Sequence, residues 1–432
     1  MRKLEELNKS YFGPRVSDGA GVFVAGFVFM FIFQIIAIIV AGIFKINVEE
    51  PPLWFNWLIL FINCCAFILA VLAFGKLSNK PLLKECRIER KITWKQTALL
   101  PAIIIVSIMA FLPLAEGFVK LVELITKDSQ ASAVNVGQTW WEILISVFFM
   151  CVLPAVGEEI LFRGGVSRGL KRKNYVFGMV MTGFLFSIFH GNATQTVHQF
   201  LFGMVLTFIY FTTGSLLASI IAHFINNFFA IMLGLALDPL FANSTLPIGG
   251  TIAIYVIVSI VGFVSLYFLL RLYMKVCKEA KGLPQNTDKM AWAKDLGKAF
   301  TLNGIKDNYT RLNNSLKLLF DDPCDSVILD GDIVKKSECV VIENIAENKV
   351  IETSENIPVE NIATNDNINN VGSIEVTTNS EINKVNSSND EIDKMLEESN
   401  KQTIKKRKRF DIMALVVAIG IAMTAWIMNL FI

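Results

Sequence analysis

Charge is scarce in this chain: Asp, Glu, Lys and Arg make up 18% of the residues, while 53% are hydrophobic. A soluble domain normally carries about a quarter of its residues charged, so a soluble globular protein is excluded. Net charge is only +2, and the basic residues fall in short clusters rather than along one extended face. That excludes nucleic acid as a partner. The seven cysteines, Cys64, Cys65, Cys86, Cys151, Cys277, Cys324 and Cys339, show no CxxC spacing, and several lie inside apolar runs. They read as reduced fillers rather than metal ligands or a disulfide framework. The first apolar stretch has no A-x-A cleavage signal and exceeds a signal-peptide core in length, so it is expected to remain as a spanning helix.

What the chain has in abundance is long apolar runs, with 34 Phe among them. A bilayer core demands about 20 apolar residues per helix. Nine runs near that length occur, at 20–44, 53–75, 97–119, 139–160, 175–190, 196–213, 215–236, 250–274 and 412–432. The fifth and sixth are short and carry histidine, so neighbouring helices should shield them from lipid. The expected fold class is all-α, a polytopic membrane bundle of about 8 core transmembrane helices, plus a disordered cytoplasmic segment and a C-terminal transmembrane helix. The loops at 75–95 and 163–174 are strongly basic, which by the positive-inside rule places the N-terminus in the cytoplasm of a cell-membrane protein. Four regions follow: residues 1–95, with two helices and a basic loop; 96–275, the core; 276–410, a polar Asn-rich linker on the cytoplasmic side; and 411–432, an anchor. The linker buries too little apolar surface to offset its ordering entropy, and much of it is expected to be disordered. A short amphipathic helix is expected around "MAWAKDLGKAF", and a protein partner for the tail is possible.

Against that background "PAVGEEILFRGG", residues 154–165, stands out, because it sets Glu158, Glu159 and Arg163 at the end of an apolar run. On a helix Glu159 and Arg163 stand four apart, acid first, which favours a same-face ion pair. Glu158 is rotated about 100° from its neighbour and is left without that partner. An ionisable group at membrane depth is a functional-site candidate by default.

The three histidines all lie downstream in the same bundle: His190, four residues after Phe186; His198; and His223, four residues before Asn227. Each four-residue pair shares a helix face. Counting about 1.5 Å per residue from the cytoplasmic turns puts Glu158 roughly 22 Å deep, His190 roughly 26 Å and His223 roughly 14 Å. Tilt can bring them together. His198 and Asn226 lack this company and read as interhelical hydrogen-bonding residues.

"EEILFR" (Glu158 to Arg163), "FSIFH" (Phe186 to His190) and "HFINN" (His223 to Asn227) resemble the EExxxR, FxxxH and HxxxN motifs of the CPBP family, the Abi or CAAX-protease-like intramembrane glutamate endopeptidases. The resemblance covers roughly residues 95–275. It implies that Glu158 takes a proton from a water held with His190, and that the imidazole N–H of His223 and the amide of Asn227 hold the oxyanion. Glu159 and Arg163 would support the site, and Phe186 would shape its wall. No cofactor is implied.

A His2Glu zinc set of Glu158, His190 and His223 is the nearest competing chemistry, although HExxH is missing. Two other classes stay open: a non-proteolytic immunity, scaffold or regulatory membrane protein, and a proton-coupled transporter. No obvious internal repeat supports the transporter. The expected partners are the lipid bilayer and a membrane-embedded or lipidated protein or peptide substrate, and the site is expected to open toward the cytoplasmic side or inner leaflet.

Overall fold

Each apolar run becomes a helix, the form that lets a chain in lipid satisfy its own backbone. The computed structural model describes residues 14–48, 50–126, 135–241, 248–283, 301–321, 327–329, 332–334, 406–424 and 426. The helices are α1 (Val16–Phe44), α2 (Leu53–Leu77), α3 (Trp94–Thr126), α4 (Trp140–Leu170), α5 (Tyr175–Phe189), α6 (Thr196–Thr213), α7 (Leu216–Phe241) and α8 (Ile248–Ala280). Among the described residues, seven helices are long and apolar enough to cross a membrane, α5 being the shorter apolar one. The architecture is all-α and multi-pass, as the apolar runs imply.

Which helices face lipid follows from what they expose. Ile38 and Ile43 on α1, Leu121 and Leu124 on α3, and Ile257 and Ile260 on α8 are large, apolar and exposed, a pattern that suits hydrocarbon and would aggregate in water. By contrast α5 has Gly178, Thr182, Gly183, Leu185 and Phe186 buried, and in α6 nearly every residue from Phe202 to Thr213 is buried. These short helices are shielded by their neighbours. α5 packs on α6, α1 on α2, and α8 along α3. At the centre, Phe23, Phe27, Phe67, Phe162 and Phe186 surround Phe189 or one another edge to face, at centroid distances of 4.6–5.8 Å. Such contacts add about 0.5–1.5 kcal/mol each beyond buried area.

The chain divides into two units, Met1–Asp322 with Ile412–Ile432, and Pro323–Asp411. In the first, a ninth helix, α9 (Leu302–Phe320), starts at Thr301, whose hydroxyl accepts from Gly304 N at 3.1 Å. Within the range 276–410, much of which was expected to be disordered, α8 continues to Ala280 and α9 folds, with Leu316, Leu319 and Phe320 buried against the bundle. Leu312, Leu316 and Leu319 recur at four- and three-residue spacing on one face of α9 and pack into the core, giving the helix a stripe to bury despite a polar average. The helix expected around residues 290–300 and most of the Asn-rich stretch lie outside the described residues. A further helix, α10, runs over 406–424; Ala418 and Ala422 on it are buried in the bundle, and the Trp426 indole donates to Thr196 Oγ1 at 3.0 Å. The second unit contains a two-stranded antiparallel hairpin, β1 (Val327–Leu329) and β2 (Asp332–Val334), pairing Val327 with Val334.

Candidate active site

The carboxylates sit on α4, whose first turn is fixed by a capping box: Thr139 Oγ1 accepts from Glu142 N, and Glu142 Oε2 accepts from Thr139 N. α4 is not uniform. Phe148–Val152 and Ile160–Val166 are wound as π-helix, on either side of an α-helical segment, Leu153–Glu159. Wide turns of this kind occur often at functional sites, because they re-aim side chains that a regular helix would stagger. Here they flank the two glutamates.

Glu159 and Arg163 form the expected pair, Nη1 donating to Oε1 at 2.6 Å with both side chains fully buried. Arg163 Nη2 also donates to the Gly203 carbonyl at 2.9 Å, and its guanidinium lies 4.7 Å over the Phe186 ring. The contact with α6 depends on glycine: a Cβ on Gly203 would meet Gly183 Cα at 2.9 Å and the Phe186 ring at 3.1 Å. The two helix backbones touch there, which brings the Gly203 carbonyl within reach of the cation.

Glu159 Oε1 has a second donor, His223 Nδ1 at 2.9 Å. A carboxylate already paired with Arg163 accepts, so the ring proton belongs on Nδ1 and Nε2 faces away from Glu159. His190 has the same orientation by another route: its Nδ1 donates to the Phe186 carbonyl at 2.8 Å. This is the physical content of a four-residue Phe-to-His spacing at a helix end, where the carbonyl of residue i holds the ring of residue i+4. The Phe186 ring also stands edge-on to both imidazoles, at 4.7 and 6.0 Å between centroids.

Both free Nε2 atoms converge on Glu158. Oε2 lies 3.9 Å from His190 Nε2 and 3.9 Å from His223 Nε2. It is buried and has no direct hydrogen-bond partner among the described residues. The separations are too long for direct hydrogen bonds and suit a single bridging oxygen. Glu158 and His190 keep 15% and 20% of their side-chain surface, whereas Glu159 and Arg163 keep none. The two adjacent acids therefore occupy different environments, one locked and one reachable.

Asn227 lies one turn beyond His223 on α7. Its Nδ2 donates to the Met150 carbonyl at 3.3 Å, and its Oδ1 accepts from Asn226 Nδ2 at 3.2 Å, which leaves one amide N–H uncommitted. Asn226 is thus a neighbour that orients Asn227, a role its position off the His223 face did not suggest. His198 stacks on Phe202 at 5.8 Å and 14°, and Phe202 in turn stands edge-on to His223 at 5.7 Å. His198 is therefore one ring removed from the cluster. Sequence reasoning missed Met150, Phe202 and Gly203, two of which act through backbone carbonyls and leave no mark in residue type. Among the described residues, no group of three His, Cys, Asp or Glu side chains is arranged to hold a metal ion.

Residues 139–229 match the family model of type II CAAX prenyl endopeptidase Rce1-like proteins. This stretch of the chain is Rce1-like. It runs from the cap of α4 to Phe229 on α7 and contains Glu158, Glu159, Arg163, Phe186, His190, His223 and Asn227. The match is to the CAAX-protease-like family that the three motifs resemble, and it covers about a fifth of the chain. No curated protein and no solved structure matches the chain. The helices outside the Rce1-like stretch, α1 to α3 and α8 to α10, pack around it.

Proposed function

We propose that the Rce1-like core is an intramembrane endopeptidase that cleaves a peptide bond of a membrane-associated protein or peptide, with Glu158 as general base. The observation that carries this reading is the convergence of Glu158 Oε2 with two imidazole Nε2 atoms at 3.9 Å each, both rings being tied back through Nδ1. A water bridging Glu158 and His190 gives its proton to the Glu158 carboxylate as its oxygen attacks the peptide carbonyl. The proton then passes to the leaving amine, with His190 Nε2 as the acceptor nearest the water. The products are a carboxylate and an amine, and no redox partner is needed.

The ring orientation adds a condition on the oxyanion site. With Nδ1–H held by Glu159, His223 Nε2 donates only when the ring is an imidazolium. Glu159 stands where it stabilises that cation, and the free amide N–H of Asn227 supplies a second donor one turn away. Glu159 and Arg163 act through these groups as positioning residues.

The test is hydrolysis of a library of single-span membrane peptides by purified protein in bilayers. Glu158→Gln and His190→Ala are each expected to lower turnover by about 10²–10⁴ while leaving the thermal midpoint of the detergent-solubilised protein close to that of wild type. Full hydrolysis by Glu158→Gln would end the reading.

A further inference from the structure

Among the described residues, packing around the site is loose on one side and close on the other, and the close side is the basic one. On α4 every residue from Glu159 to Ser167 is buried, whereas between Trp140 and Glu158 only Ser146, Cys151, Ala155 and Gly157 are. On α6 the boundary falls at Phe202: no residue from Thr196 to Leu201 is buried, and all but Met204 are from Phe202 to Thr213. α7 behaves alike, with Ala222 and His223 buried and five of the next six residues, Phe224 to Phe229, partly exposed. Three helices thus lose their close packing at one level, and Glu158 with His190 lies at that level.

The basic end is closed a second time by α9. Phe320 is fully buried, at 5.2–6.1 Å from the rings of Tyr175, Tyr210 and Phe211. Arg87 stands 4.2 Å over the Phe320 ring and donates through Nη1 to its carbonyl at 2.6 Å, and Lys171 pairs with Asp321 at 2.9 Å. From Tyr175 at this end, α5 climbs 15 residues before reaching His190, or about 22 Å of a hydrocarbon core about 30 Å thick.

We infer that water and substrate reach Glu158 from the face opposite the basic loops, and that the substrate is an extended peptide segment lying in that half of the bilayer. The stretch of rim from His190 to Leu201 contains Asn192, Thr194, Gln195 and Gln199 and no Asp, Glu, Lys or Arg, the charges of that face, Lys120, Glu123 and Glu142, lying on the ends of α3 and α4. That stretch offers hydrogen bonds to a peptide backbone. With the basic loops cytoplasmic by the positive-inside rule, the entrance belongs to the outer leaflet, opposite to the cytoplasmic opening expected from the sequence. The substrate part of this inference rests on the endopeptidase reading. The direction of access does not.

Access is tested with a membrane-impermeant thiosulfonate on sealed vesicles of both orientations, taking labelling of the wild-type cysteines as background. Lys173→Cys and Gln195→Cys mark the two faces, and Glu158→Cys and His190→Cys report on the site. At least one reporter is expected to be labelled in the orientation that labels Gln195→Cys and protected in the orientation that labels Lys173→Cys. Labelling of the reporters from the Lys173 side, or from neither side, overturns the inference. If access is as stated but Glu158→Gln hydrolyses membrane peptides as fast as wild type, the entrance stands and the endopeptidase reading falls.

Discussion

At the residue scale the site turns on where ring protons lie. Glu159 accepts from both Arg163 and His223 through one oxygen, so neutralising it does two things. Glu159→Gln leaves a buried guanidinium without its counter-charge, which costs about 3–5 kcal/mol, and it withdraws the anion that supports a His223 imidazolium. Thermal unfolding in detergent should show the first effect. The second should appear as a fall in kcat with little change in KM, since the group lost acts on the oxyanion rather than on ground-state binding. A merely structural Glu159 would lower stability and spare the kcat of the folded fraction. Because Glu158 Oε2 and two imidazole Nε2 atoms face one another here, chelation is a separate check. Peptide hydrolysis should survive a strong chelator, whereas loss followed by restoration with zinc would reassign Glu158, His190 and His223 as a His2Glu centre. The Glu159–Arg163 pair was legible because both partners lie on one helix, four apart. Its link to His223, 64 residues away, was not, because nothing in the spacing of one helix reports which ring a distant helix brings to it. The tautomer of His190 shows the intermediate case: the Phe-to-His spacing was visible, but its meaning lies in a backbone carbonyl.

At the scale of elements, the apolar runs located each helix, because bilayer thickness sets length and few sequences satisfy it by accident, but α3 runs seven residues and α4 ten residues past the expected ends at 119 and 160. The π segments of α4 were not legible, since an extra residue per turn alters register without altering composition. α9 was passed over for a different reason. Its average polarity matched the linker around it, and only the alternating four- and three-residue spacing of its apolar positions distinguishes it. Its C-terminal end depends on charges buried at the contact. Burial works to raise the Asp321 carboxyl, but Lys171, the Tyr175 hydroxyl and Arg87 outweigh that and hold it below the usual carboxylate range. Lys171 does not show the upward shift that pairing alone would cause: burial pushes its ammonium down to about 8 against the pull of Asp321. The sign for Asp321 follows. A carboxyl depressed in the folded state contributes stability that is complete above its unfolded value, about 3.9, and is lost as pH falls through the lower folded value. Asp321→Asn should therefore lower the thermal midpoint at pH 6–7, and its difference from wild type should close below about pH 4. A gap of constant size down to pH 3 would show that the carboxylate charge plays no part in holding α9.

At the scale of the whole molecule, the Rce1-like stretch supplies all seven motif residues, while the surrounding helices supply lipid-facing surface and the closure of the basic end. The division into two units separates residues 323–411 from that work. The bundle is continuous without them: α9 ends in the first unit with Phe320 seated, and α10 adds Ala418 and Ala422 to the same core from the other side of the gap. Among the described residues, the partners of His190, His223 and Asn227 are Phe186, Glu159, Met150 and Asn226, all of the first unit. Replacing residues 323–405 with a Gly/Ser-rich sequence of equal length, itself a flexible coil, spares α9 and α10 and should then leave the thermal midpoint unchanged. Hydrolysis of membrane peptides should stay within about twofold of wild type, because the described partners of the site residues all belong to the bundle and are the groups placed to stabilise its transition state. Removing residues 301–322 as well should lower the midpoint, since it strips Phe320 from its aromatic and cationic seat and uncovers Tyr175, Tyr210 and Phe211. A tail replacement that abolished hydrolysis of every peptide while the midpoint held would show that the polar segment delivers substrate or completes the site, and the division of labour drawn from the bundle alone would have to be abandoned.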